Sequence, residues 1–270
     1  MARRARRRAA EWAAPEVEGE LRDVKRKLRT ARRQLRDVQD RLDQVTYALP
    51  ETVEATIARA RSEHLTYLKP HNLRELAASV RELERDALPG LLIEAGTARG
   101  GSAIVMAAAK AVERPMKVYD VFGMIPPPTE RDGPDVHARY RKIAGGEAKG
   151  VGGETYYGYR DDLQREVLES FSRLGVPAAE HGVELIRGRF EDTIDLDEPV
   201  ALAHLDGDWY ESTMTCLRRI APLLPPGGRI VLDDYYAWSG CRAAVDEYFA
   251  ERDGFRFERL GRLHVVRDPA

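Results

Sequence analysis

Apolar residues are not scattered evenly along the chain. Val17, Leu21, Val24, Leu28, Ala31, Leu35, Val38, Leu42, Val45 and Leu49 alternate spacings of four and three. That is a heptad seam over more than four repeats, with Arg, Lys, Asp and Gln on the other faces. Such a narrow stripe predicts a helix that needs another helix. Two arrangements satisfy it: packing on the chain's own body, or pairing in a self-associating coiled coil, which the length of the seam favours. Pro50 closes the segment. Residues 51–88 read as helical, with Leu73, Leu76, Val80 and Leu83 at three- and four-residue spacing, and Pro89-Gly90 breaks the pattern.

Strand and helix signals then alternate. Leu91–Ala95, Met116–Asp120, Val183–Ile186, Val200–Leu205 and Arg229–Leu232 read as strands. Helices are expected at 102–111, 161–175, 210–224 and 239–251, and a closing hairpin at 255–267. Alternation of this kind predicts an α/β fold, a doubly wound and mostly parallel sheet. One stretch interrupts it. Residues 122–160 are rich in Gly, Pro and Tyr and include Tyr140, Tyr156, Tyr157 and Tyr159. A loop this long is either a disordered tract or a lid over a binding site. Four large rings seeking partners favour the lid.

Composition narrows the function classes. The chain of 270 residues has 43 Lys+Arg against 45 Asp+Glu, a formal charge of −2. The first fifty residues carry 14 basic and 8 acidic side chains, leaving 29 and 37 to the rest. A basic segment is therefore attached to an acidic body. The arginines at the start come without a stacking platform, so nucleic-acid binding is not expected. No run approaches the roughly 18 apolar residues of a membrane span. Glutamates follow the basic opening where a signal peptide would be apolar. Two cysteines make no disulfide framework. A cytoplasmic location is the expectation.

Candidate chemistry lies at strand ends. After the first strand, Gly96, Gly100 and Gly101 form a turn into a helix, two residues beyond Glu94. The spacing is not the dinucleotide fingerprint. An acidic residue there suits a ligand with an ammonium group, S-adenosylmethionine rather than NAD. Asp120, ending the second strand, is placed for ribose hydroxyls. A turn without a ligand is the plain alternative. Asp206 and Asp208 follow the fourth strand, and Asp233 and Asp234 the fifth. Ligands of doubly wound sheets sit outside such ends. Four carboxylates in one crevice repel one another unless protons or a cation intervene, and all-oxygen donors suit Mg²⁺, Mn²⁺ or Ca²⁺. Helix capping by Asp206 and Asp234 is the alternative. His204 reads as packing and Cys241 as a small buried residue; His264, near the C-terminus, is a less favoured candidate to approach the substrate.

Several stretches in order resemble the macrocin O-methyltransferase family, the sugar O-methyltransferases of macrolide and aminocoumarin pathways. They are Leu65-Thr-Tyr-Leu-Lys-Pro-His-Asn-Leu73, Leu92-Ile-Glu-Ala-Gly-Thr-Ala-Arg-Gly-Gly101, Asp120-Val-Phe-Gly123, Gly188-Arg-Phe-Glu-Asp-Thr193, Leu205-Asp-Gly-Asp-Trp-Tyr-Glu-Ser-Thr213, and Gly227-Gly-Arg-Ile-Val-Leu-Asp-Asp-Tyr235 with Cys241-Arg-Ala-Ala-Val-Asp246. The resemblance covers residue 64 to the C-terminus. It implies a class I methyltransferase, Rossmann-like domain at 89–270, preceded by a helical part at 51–88; the heptad pattern itself sets residues 1–50 apart as a basic extension. It implies divalent-metal-dependent methyl transfer from S-adenosylmethionine to a sugar hydroxyl of a glycosylated natural product. By that resemblance Asp206, Asp233 and Asp234 hold Mg²⁺ or Mn²⁺, and Asp208 is the general base. Tyr67, Glu94, Gly96, Gly100, Gly101, Ser102 and Asp120 cradle the methyl donor. The heptad segment, the 122–160 loop and the ending Leu263-His-Val-Val-Arg267 depart from the family pattern, so acceptor identity does not carry over. A hydroxylase-like relative with the same fold is disfavoured because a facial triad wants two histidines. A non-catalytic coiled-coil scaffold is disfavoured by four intact aspartates.

Overall fold

The computed structural model describes residues 20–35, 38, 42 and 46–269. The arginine-rich start and the seam positions Val17 and Val45 lie outside the described residues. Two compact units divide the chain, residues 1–48 and 49–270. In the first, residues 20–35 are helical (α1). Its seam is bare, from Leu28 at 47% exposed to Leu35 at 69%.

The second unit is built on strands that are apolar on both faces. β1 (Leu91–Ala95) and β4 (Val200–Leu205) are buried at every position. Continuous burial of this kind fits a parallel sheet covered by helices on both sides. With β2 (Met116–Asp120), β3 (Val183–Arg187), β5 (Arg229–Leu232), β6 (Phe255–Arg259) and β7 (Leu263–Arg267), they form a seven-stranded sheet in the order β3-β2-β1-β4-β5-β7-β6. Strands β1 to β5 pair in parallel, and the β6–β7 hairpin adds antiparallel to β5. Strand order reverses between β1 and β4. The crevice at a doubly wound sheet's switch point therefore opens at Ala95 and Leu205, which are register partners.

One face of the sheet is covered by α2 (Glu51–Ser62), α3 (Pro70–Arg85), α4 (Gly101–Ala109) and α6 (Leu163–Arg173). Ile57, Leu73, Leu76, Ile104 and Phe171 share its apolar cluster. The other face is covered by α8 (Tyr210–Ile220) and α9 (Ser239–Phe249), through Met214, Leu217, Val245 and Phe249. The region expected to be helical over 51–88 is two helices, because the chain turns at His64, whose φ is 55°. A short helix α7 (Phe190–Thr193) follows β3.

The 122–160 segment is ordered around a third apolar cluster, which includes Ile125, Val136, Ile143, Tyr156 and Trp209. It contains a helix, α5 (Pro134–Ala144), that composition did not reveal. Three charge contacts fasten its far end. Glu154 receives Arg99 Nη1 at 2.6 Å and Arg160 Nη2 at 3.4 Å, and lies 3.0 Å from His64 Nδ1.

Candidate active site

The turn from β1 into α4 brings two strand ends together. Gly96 has a φ of 88°, and a Cβ there would collide with the carbonyl oxygen of Asp206. Gly100 caps α4 at φ 87°, where a Cβ would press on Val167. These glycines serve close approach of protein to protein. That differs from a turn opened for a ligand, although Gly96 and Ala98 do line a cavity beside it.

That cavity, about 670 Å³, opens outside the carboxyl ends of the strands. Of the seven residues expected around the methyl donor, Tyr67, Gly96 and Asp120 line it; Glu94, Gly100, Gly101 and Ser102 do not. Glu94 is fully buried and committed, since Ser102 Oγ donates to one carboxylate oxygen and His204 Nδ1 lies 3.0 Å from the other. The two residues are register partners on β1 and β4. Asp120 accepts backbone N–H bonds from Thr97 at 2.8 Å, Ala98 at 3.2 Å and Phe122 at 2.6 Å. Burial outweighs these three donors and raises its pKa. Each carboxylate oxygen offers about two acceptor sites, so Asp120 retains one at the cavity.

The four aspartates all line the cavity. Asp206, Asp208 and Asp234 each offer an oxygen such that all lie within 4.8 Å of one another. Asp208 sits at φ 57°, a left-handed position that aspartate tolerates better than most residues. Its N–H donates to Asp234 Oδ2 at 2.9 Å, which fixes the two motifs against each other. Burial first, then mutual repulsion, raises the pKa of Asp206 and Asp208 well above the usual carboxylate range and that of Asp234 to about 7.

Asp233 is the exception. Burial opposes its charge, yet His204 and Arg262 outweigh burial and lower its pKa. Arg262 Nε donates to Asp233 at 2.5 Å from the β6–β7 turn, and His204 Nε2 is 3.8 Å away. The expected ligand is thus turned toward cations of the protein itself. Burial also opposes charge on His204, but Glu94 and Asp233 hold its imidazole protonated, with a pKa of about 10. His204 is therefore an electrostatic link between the β1 and β5 acids as well as a packed residue.

Capping does not explain the aspartates. Neither α8 nor α9 has a side-chain cap from its own N-cap residue. Their N-termini are capped from the 122–160 segment, Tyr210 N–H by Asp132 Oδ1 at 2.8 Å and Ser239 N–H by Asp135 Oδ2 at 3.0 Å. His264, the less favoured candidate for the substrate, is fully buried against Glu75, 2.9 Å from its carboxylate, and does not line the cavity. Cys241 is buried, as expected.

The roof is aromatic. Tyr67 meets Tyr157 edge-on at 6.4 Å, Tyr156 lies 4.3 Å from Tyr157, and Trp209 meets Trp238 at 5.9 Å. Trp209 Nε1 donates to Pro126 O at 3.0 Å. Sequence reading missed Arg139, Arg262 and both tryptophans. For the tryptophans a signal existed, since each directly precedes a helix that follows an acidic pair.

Among the described residues, no helix is long and apolar enough to cross a membrane. The family model of the macrocin O-methyltransferases matches residues 61–254. The chain is 35% identical over 182 residues to the 8-demethyl-8-(2,3-dimethoxy-alpha-L-rhamnosyl)-tetracenomycin-C 4'-O-methyltransferase of Streptomyces olivaceus, covering 65% of this chain and 64% of that one. It is 30% identical over 187 residues to the demethyldecarbamoylnovobiocin O-methyltransferase of Streptomyces niveus, covering 67% and 66%. It is 31% identical over 193 residues to the mycinamicin III 3''-O-methyltransferase of Micromonospora griseorubida, covering 68% and 69%. The match spans just under two thirds of the first two relatives. Among solved structures, the O-methyltransferase NovP aligns with a TM-score of 0.63 at 25% identity, over 76% of this chain and 83% of that one. CalS11, a calicheamicin methyltransferase, aligns with a TM-score of 0.53 at 19% identity, over 75% of this chain and 80% of that one, a likeness of fold.

Proposed function

Because the chain belongs to the macrocin O-methyltransferase family, we propose that it transfers a methyl group from S-adenosylmethionine to a sugar hydroxyl of a secondary metabolite, with a divalent cation at its acidic cluster. The observation that carries this reading is the convergence of Asp206, Asp208 and Asp234 beside Gly96 and Asp120 in one cavity. The relatives matched over comparable stretches are named as O-methyltransferases of antibiotic compounds.

The residues present fit both groups. Asp120 keeps acceptor capacity toward the cavity for a ribose diol. Three converging carboxylate oxygens are a hard donor set, and a divalent cation would offset the burial and mutual repulsion that raise their pKa values. S-adenosylmethionine, when bound, supplies an electrophilic methyl group, and a divalent cation supplies charge that acidifies a neighbouring hydroxyl.

The chain's own residues do the rest. Asp206 and Asp234 hold the cation, and Asp208 takes the proton from the acceptor hydroxyl. Asp233, kept ionised by Arg262 and His204, adds negative charge behind the cluster without serving as a ligand. Tyr67, Tyr156 and Tyr157 exclude water from above and offer ring faces to a sugar. A facial-triad reading lacks its histidines, since His204 is directed at Glu94. Calorimetric titration with S-adenosylmethionine and S-adenosylhomocysteine tests the assignment. Micromolar binding supports it, and absence of binding removes both cofactor and reaction.

The same proposal divides the chain into the heptad segment, a helical part at 51–88 and the catalytic domain. The seam over residues 17–45 pairs with a second copy, a reading supported by the exposed Leu21, Val24, Leu28, Leu35, Val38 and Leu42, whereas Leu49 packs on the apolar cluster of the second unit. Deleting residues 1–49 lowers the particle mass in light scattering; an unchanged mass refutes the pairing.

A further inference from the structure

Helix α3 carries a buried acid that the proposed chemistry does not use. Glu75 is buried, a costly place for a carboxylate unless its oxygens find donors. His264 Nε2 lies 2.9 Å from Oε1, the Gly261 N–H donates to Oε2 at 3.0 Å, and the Arg262 N–H to Oε1 at 3.3 Å. Burial opposes its charge, but these partners outweigh burial and lower its pKa. Gly261 and Arg262 form the β6–β7 turn, 186 residues beyond Glu75. The approach is close: a Cβ on Gly261 would lie 3.0 Å from Glu75 Oε2. The tip of a hairpin needs no such anchor to turn.

The anchor aims a side chain. With its own N–H and that of Gly261 fixed on Glu75, Arg262 reaches Asp233 in a two-pronged pair, Nε to Oδ1 at 2.5 Å and Nη2 to Oδ2 at 3.4 Å. The Asn72 amide, one turn earlier on α3, lies beside the same guanidinium. The other cation facing Asp233 is His204, 3.8 Å away, which is itself committed to Glu94 at 3.0 Å. Glu94, His204, Val231 and His264 are register partners across β1, β4, β5 and β7, so this network crosses the sheet in one row. Asp233 and its neighbour Asp234 both line the cavity, but only Asp234 joins Asp206 and Asp208 in the converging set. Arg262 and Asp233 are both partly buried, where water screens charge less than at the open surface.

Resting on the proposed cation at Asp206, Asp208 and Asp234, we infer that Arg262 is a built-in rival of that cation, holding Asp233 out of its coordination shell and weakening its binding, and that Glu75 is the positioning residue that aims Arg262. A fixed positive charge beside a divalent cation opposes it. Releasing Asp233 would add a fourth carboxylate to the set.

The test is calorimetric titration of the full chain with Mg²⁺ alone, at about pH 8, above the value at which Asp234 loses its proton. Arg262→Gln binds Mg²⁺ about tenfold or more tightly than the unaltered chain. Arg262→Lys, which keeps the charge, tightens binding less. Glu75→Gln, with Arg262 present but no longer aimed, shifts the affinity in the same direction as Arg262→Gln. A cooperative thermal melt shows that each variant folds, and two variants at opposite ends of the anchor carry the same prediction. A merely structural anchor would alter the melt and leave Mg²⁺ affinity where it was. Unchanged or weaker Mg²⁺ binding in Arg262→Gln overturns the inference, and unchanged binding in Glu75→Gln removes Glu75 from it. Absence of Mg²⁺ binding in the unaltered chain and in every variant is a separate result, which removes the cation reading itself.

Discussion

Asp132, in the 122–160 segment, accepts the backbone N–H of Tyr210 at 2.8 Å, capping the helix that follows the Asp206–Asp208 motif from a segment far away in sequence. Losing an N-cap costs about 1–2 kcal/mol. Asp132→Ala is expected to lower stability by about that amount in urea denaturation. Asp132→Asn, which keeps a carbonyl acceptor, loses less. If Asp132→Ala is as stable as the unaltered chain, the lid is not fastened in this way.

His204 lies fully buried between Glu94 and Asp233. Removing one partner of a buried pair leaves an uncompensated charge and costs about 3–5 kcal/mol. His204→Leu is expected to fall in that range. The double variant Glu94→Leu/His204→Leu is expected to be less destabilised than the sum of the single variants. Strict additivity in this cycle would mean that the two side chains do not interact.

The acidic cluster sets a pH dependence of opposite sign to an ordinary paired carboxylate. Burial and the neighbouring Asp233 push the Asp234 carboxyl from its ordinary 3.8 up to about 7 in the fold, and Asp206 and Asp208 rise as well. The folded chain thus holds protons that the unfolded chain has lost. Their contribution to stability is complete below the unfolded value and is lost as pH rises through about 7. A divalent cation competes with those protons, so its stabilisation grows across the same window. Thermal melts with Mg²⁺ or EDTA, at about pH 5.5 and about pH 8, are expected to show the larger Mg²⁺ gain at the higher value. The same gain at both contradicts the cluster as the cation site.

Asp208→Asn removes the proton acceptor while keeping the side chain's size. Its kcat is expected to fall about a hundredfold or more, with S-adenosylmethionine affinity spared. Unchanged turnover removes Asp208 as the base.

The β-strands could be read from sequence because β1 and β4 bury both faces, so every position is apolar or neutralised inside the sheet. The acidic motifs could be read because strand ends are adjacent to them in the chain. What stayed hidden depends on distant pairing. Glu94 looked available for a ligand until β1 and β4 aligned it with His204, 110 residues away. That Asp233 faces a cation of the protein itself depends on the β6–β7 turn, which delivers Arg262 from 29 residues further on. Helix α5 buries only Val136 and Ile143, too few apolar positions to stand out among the glycines and prolines around it.

We propose that the cavity over Asp206, Asp208 and Asp234 supports cation-dependent methyl transfer to a sugar hydroxyl. The most direct measurement is transfer of label from methyl-labelled S-adenosylmethionine to a panel of deoxysugar glycosides and nucleotide-activated sugars, with Mg²⁺ and with EDTA. The expected result is a methylated sugar that forms with Mg²⁺, is lost in EDTA and returns when Mg²⁺ is restored. Methyl transfer that proceeds equally in EDTA, or a bound methyl donor with no sugar in the panel methylated, would contradict the account.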